Sequence, residues 1–87
     1  MLNPTNQPVH VPSIFSLTAL ALEVAKSHHV IDRVTAVRGY AELSVMYPEK
    51  SQYRDAVARS LNSLSDALEA HGKGVVAQMA RSMADIR

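Results

Sequence analysis

Between Pro48 and Gly72 the chain reads PEKSQYRDAVARSLNSLSDALEAHG, and its apolar residues Tyr53, Val57, Leu61, Leu64 and Leu68 recur at steps of four, four, three and four. That spacing stacks them along one side of an α-helix. Pro48 suits a first helical turn, Glu49 the positive helix end and Gly72 a C-terminal cap, so the segment carries its own start and stop. A single apolar stripe has to be buried against another element, and the rest of the chain must supply it.

The chain is short. Its 87 residues make one domain, of a size that buries about 60 to 65% of the surface its unfolded form exposes. A net stability of about 5 kcal/mol is expected, which makes oligomerisation or partner binding an attractive source of extra core. The absence of cysteine excludes disulfides and thiolate metal sites. Nine basic and eight acidic side chains alternate without a basic run and leave a net charge of +1, which argues against binding phosphate backbones by charge alone. The longest mainly apolar stretch, Ile14 to Ala25, is interrupted by Ser16, Thr18 and Glu23 and is too short to span a bilayer. No Lys or Arg precedes it, as a signal peptide would require. A soluble, cytoplasmic protein with no membrane contact is expected.

Prolines at positions 4, 8 and 12 remove backbone donors and disfavour helix at each preceding residue. Residues 1–12 are therefore expected to form an extended arm, and residues 13–87 a single helical domain. Ser13 is expected to cap a first helix over 14–28, with Leu17, Leu20, Ala21 and Val24 on one face and Phe15, Ala19 and Leu22 on a second. That apolar arc is wider than one neighbour needs. Lys26-Ser27-His28-His29 interrupts the pattern, and Asp32 offers a cap for a second helix over 32–46. Its expected faces are Val34, Val37, Ala41 and Val45 on one side, with Tyr40, Leu43 and Tyr47 turning toward the next. The two helices would merge into one if the interruption were only a surface feature. A break is favoured because the first stripe runs on through His28 and Ile31 to Arg38, whereas a new stripe starts at Val30 and Val34.

Gly39 inside the second helix costs about 1 kcal/mol relative to alanine; it either admits a close helix contact or is merely tolerated. Beyond the two-glycine turn Gly72-Lys73-Gly74, the residues Val76, Met79, Ala80, Met83 and Ile86 space out a fourth helix to the end of the chain. About four helices joined by short turns predict a small all-α bundle.

No stretch carries a catalytic or cofactor signature. His28 and His29 are neighbours, so on a helix they point about a hundred degrees apart and do not face one metal. A zinc site from one of them, His71 and an acid would need three segments to converge; His71 before Gly72 reads more simply as a donor at a helix C-terminus. None of the serines sits in a glycine-flanked elbow. His71-Gly72-Lys73-Gly74 lacks the spacing of a phosphate loop, and no strand precedes it. A helix-turn-helix reader of DNA would place its turn at Gly72 to Gly74 and read with Gln78, Arg81, Ser82 and Arg87. Val75, Val76, Met79 and Met83 would still need burial, so little polar surface remains. Arg33, Arg38, Arg54 and Arg59 form a phosphate-binding face if the second and third helices lie side by side, although Glu42 and Asp55 dilute it.

The remaining signal is an apolar excess, with 47% hydrophobic residues. It predicts a non-enzymatic protein–protein interaction module without metal or cofactor. Such a module dimerises or docks on a larger protein to inhibit or adapt it, in the manner of a small accessory or phage-type regulator. The expected anchors are Phe15, Leu22, Met79, Met83 and Ile86, with Tyr47, Tyr53 and Arg54 on the rim, because aromatic residues and arginine give the most energy per contact. The alternative is a small helix-turn-helix-like DNA-binding regulator that depends on Arg81 and Arg33.

Overall fold

A computed structural model describes residues 11–85. They form four α-helices: α1 (Val11–Val24), α2 (His28–Met46), α3 (Ser51–Ala70) and α4 (Gly74–Ala84). No strand occurs among the described residues, and the architecture is the small all-α bundle that the periodicity predicts. Most of the expected N-terminal arm lies outside the described residues. Its last two positions, Val11 and Pro12, already belong to α1, where a proline in the first turn removes a donor that has no intrahelical acceptor.

The break between the first two helices is real, but it falls earlier than expected. Ser27 adopts an extended backbone (φ −131°, ψ 145°), and its hydroxyl accepts a hydrogen bond from the His29 amide at 3.2 Å. This is the side-chain cap that a helix start favours. It acts before Asp32 can, so α2 begins at His28, a turn ahead of the expected start.

The third helix begins later than Pro48. The Lys50 amide donates to the Tyr47 carbonyl at 3.0 Å, closing a turn with Pro48 at its second position, where the fixed proline φ fits. The Tyr47 and Tyr53 rings face each other across this turn, with centroids 5.9 Å apart. At the other end, Gly72 takes φ +74°, the Gly72 amide donates to Glu69 and the Lys73 amide to Leu68. That bond pair is the Schellman motif, and it confirms Gly72 as the stop. The His71 Nδ1 lies 3.0 Å from the Ala67 carbonyl oxygen, the C-terminal role expected of it.

Packing follows the stripe on α3. Val57, Leu61, Leu64 and Leu68 are buried, the three leucines completely. Helix α2 packs along one side of α3 and α4 along another, while α1 lies on α2 and meets α4 more lightly. Among the described residues, eight of the buried apolar side chains are alanines, at positions 21, 25, 41, 56, 67, 77, 80 and 84, and none is aromatic. Small side chains let the helix backbones come close. Ser65, fully buried on α3, donates its hydroxyl to the Ala77 carbonyl of α4 at 2.9 Å, so this buried polar group has its partner. Val45 departs from the expected face; it sits in the last turn of α2 and is 58% exposed.

Gly39 serves no close contact: a methyl group added there would meet nothing within 4 Å. Replacing it by alanine removes a flexible position from the unfolded chain without a clash. Gly39→Ala is therefore expected to raise stability by about 0.5 to 1 kcal/mol and the melting midpoint by about 2 to 8 °C. Thermal unfolding followed by circular dichroism reads the shift. A lowered midpoint would mean that the glycine backbone is needed after all.

Candidate partner-binding groove

Where α1 meets α4 the bundle closes loosely. These are the two shortest helices, of 14 and 11 residues, and their facing ridges carry Ser13, Ser16 and Ser82, too small to fill the space between them. An open groove of about 910 Å³ results, lined by Ser13, Ser16, Leu17 and Leu20 from α1 and by Val75, Gln78, Met79, Ser82 and Met83 from α4. On each helix the lining positions repeat at three, four and seven residues, which is one helical face. Among the described residues no charged side chain lines it. Leu20 is 38%, Met79 44% and Val75 79% exposed, so apolar surface lies open at the mouth.

The structure distributes the expected anchors unevenly. Met79 and Met83 both line the groove, and Met83 also packs against the core. Ile86 lies outside the described residues. Leu22 is half-buried against the core and does not line the groove. Phe15 faces α2, where the Arg38 guanidinium lies 5.5 Å from its ring centroid. Arg38 also donates from Nε to the Thr18 hydroxyl at 2.8 Å. Thr18 is fully buried and donates onward to the Phe15 carbonyl. Phe15 is thus half of an α1–α2 clasp, and Arg38 is engaged inside the protein, not on a phosphate-binding face. Tyr47, Tyr53 and Arg54 sit around the α2–α3 turn and the start of α3, away from the groove lining.

No protein-family model, curated protein or solved structure matches this chain. The reading of the groove rests on its own chemistry.

Sequence reasoning missed Leu20 and Val75. A signal for Val75 was present: neighbouring residues on a helix point about a hundred degrees apart, so burying Val76 turns Val75 outward. Leu20 belonged to an expected apolar face of α1, but α4 packs lightly on α1 and leaves it 38% exposed.

The charged residues point elsewhere. Arg81, the main arginine of the DNA-reading alternative, lies 3.0 Å from Asp66 and 4.0 Å from Glu69. Exposed pairs of this kind add little stability, but they do offset the cation's charge. His28 and His29 are exposed at the start of α2. Among the described residues no three His, Asp or Glu side chains gather as a metal site, and no helix is long and apolar enough to cross a membrane.

Proposed function

We propose that this chain is a non-enzymatic interaction module that works as a homodimer joined through the α1–α4 groove. The observation that carries the reading is an uncharged apolar groove with Val75, 79% exposed, at its edge. A two-fold interface sets the same patch against itself. The Val75 knob of one copy can then enter the groove of the other while the reciprocal contact forms, and a patch without charge opposes no like charges. Methionine on the groove wall adapts to such a partner surface, and an open apolar patch is a mark of association. A bundle of this size also gains core by pairing. The DNA-reading alternative is weakened by the engagement of Arg81 with Asp66 and Glu69.

Sedimentation across a concentration range tests the proposal. The native chain is expected to dimerise, and the double variant Val75→Asp, Met79→Asp to bind itself about a hundredfold more weakly or worse. Its helical circular dichroism should be unchanged, because neither side chain belongs to the buried core: Val75 is 79% and Met79 44% exposed. Met83 is less suited to this test, since its core contacts would confound unfolding with dissociation. A native chain that stays monomeric, or a dimer that survives both aspartates, would overturn the proposal.

A further inference from the structure

We propose that a second site, in the crevice between α2 and α3, binds a phosphate monoester between Arg33 and Arg59. The crevice has a volume of about 230 Å³ and is lined by Arg33, Ala36 and Tyr40 of α2 and by Ala56, Arg59, Ser60 and Ser63 of α3. Its floor is open because Ala36, Ala56 and Ser60 are small. Each wall contributes one arginine and at least one hydroxyl-bearing residue, and among the described residues no Asp or Glu lines the space.

Neither arginine is neutralised among the described residues. Among the described residues the ion pairs involve Arg81, and Arg33 and Arg59 form none. Asp55 stands four residues before Arg59, the favoured order for an intrahelical pair, yet the two do not pair. Asp32 directly precedes Arg33 and so points about a hundred degrees away from it. Two arginines that line one crevice without an ion pair among the described residues leave room for an anion.

The geometry favours a phosphoryl group over a carboxylate. One arginine fork satisfies a planar carboxylate, whereas guanidinium groups from opposite walls can each serve a different oxygen of a tetrahedral dianion. Ser63 and Tyr40 line the same space and carry hydroxyls that can serve a third oxygen. The volume exceeds that of a phosphoryl group, so the crevice admits the group together with part of what carries it. A nucleic-acid backbone suits the site less well. The chain's net charge is +1, and Arg38 and Arg81 are engaged elsewhere, so few successive phosphates would be neutralised.

The test is a heteronuclear NMR titration of the full chain with inorganic phosphate and, separately, with free phosphoserine. Saturable shifts are expected at the Arg33 and Arg59 Nε–H groups and the Ser63 amide, with phosphoserine half-saturating near about 1 mM and more tightly than inorganic phosphate. Arg59→Gln, at an exposed position, should weaken binding by about tenfold or more, whereas Arg54→Gln on the same helix should leave it unchanged. Tighter binding of inorganic phosphate would overturn the monoester in favour of the free ion. Failure to saturate, equal sensitivity to Arg54→Gln, or displacement of phosphoserine by low concentrations of duplex DNA in a steeply salt-dependent manner would each overturn the site as proposed.

Discussion

Leu64→Ala is expected to cost about 2 to 5 kcal/mol, the range for truncating a fully buried leucine in a core that cannot collapse around the gap. Leu64 has no exposed surface and lies in the C-terminal half of α3, the helix against which both α2 and α4 pack. A cavity there removes packing from the cluster that holds the four helices together. With a total stability on the order of 5 kcal/mol, the variant should be partly unfolded at room temperature. Urea denaturation followed by helical circular dichroism, at one fixed protein concentration so that any association is held constant, measures the change. A loss below about 1 kcal/mol would show that α3 is not the packed centre of the molecule.

The opposite error in volume should also be felt. Ala80 has no exposed surface and lies on α4 among Val76, Ala77 and Ala84, the residues through which that helix is buried. Ala80→Leu inserts three carbon atoms where close backbone approach depends on a methyl group, and overpacking of this kind costs about 1 to 3 kcal/mol or more. Helix α4 is short, so it will shift outward and strain the Ser65 hydroxyl's bond to the Ala77 carbonyl. The exposed Ala19 of α1 provides the control: Ala19→Leu should change stability by no more than about 0.5 kcal/mol. Thermal melts of the two variants side by side read the difference. Equal melting points would mean that the alanine-rich contact between α3 and α4 is loose enough to admit a larger side chain.

The helices were largely legible before any tertiary information, because what specifies them is local. The stripe from Val57 to Leu68 is a property of residues three and four apart, and Gly72 stops α3 because only glycine takes its left-handed backbone at no steric cost. Their starts were less legible. Ser27 and Asp32 are both good caps by residue type, and Pro48 suits a helix start as well as the second position of a turn. The choice between such options turns on which hydrogen bonds the chain can close once neighbouring helices are packed, and Lys50 to Tyr47 is the bond that decided it at Pro48.

The candidate site was half legible for the same physical reason. Composition and the two-faced first helix announced more apolar surface than one neighbour could cover, and Met79 and Met83 were read as part of it. Phe15 and Arg38 were not read as partners, since Phe15 and Thr18 on α1 meet Arg38 on α2 only after the chain folds back on itself. The amino-acid sequence by itself determined four helices, where one of them stops and which stripe on α3 must be buried, since these follow from i, i+3 and i+4 spacing and from backbone sterics. Only the tertiary structure decided that α1 and α4 close loosely enough to leave a groove, that Arg81 and Arg38 are engaged, and that Arg33 and Arg59 line one crevice, because those outcomes depend on which helix faces meet across long separations in the chain.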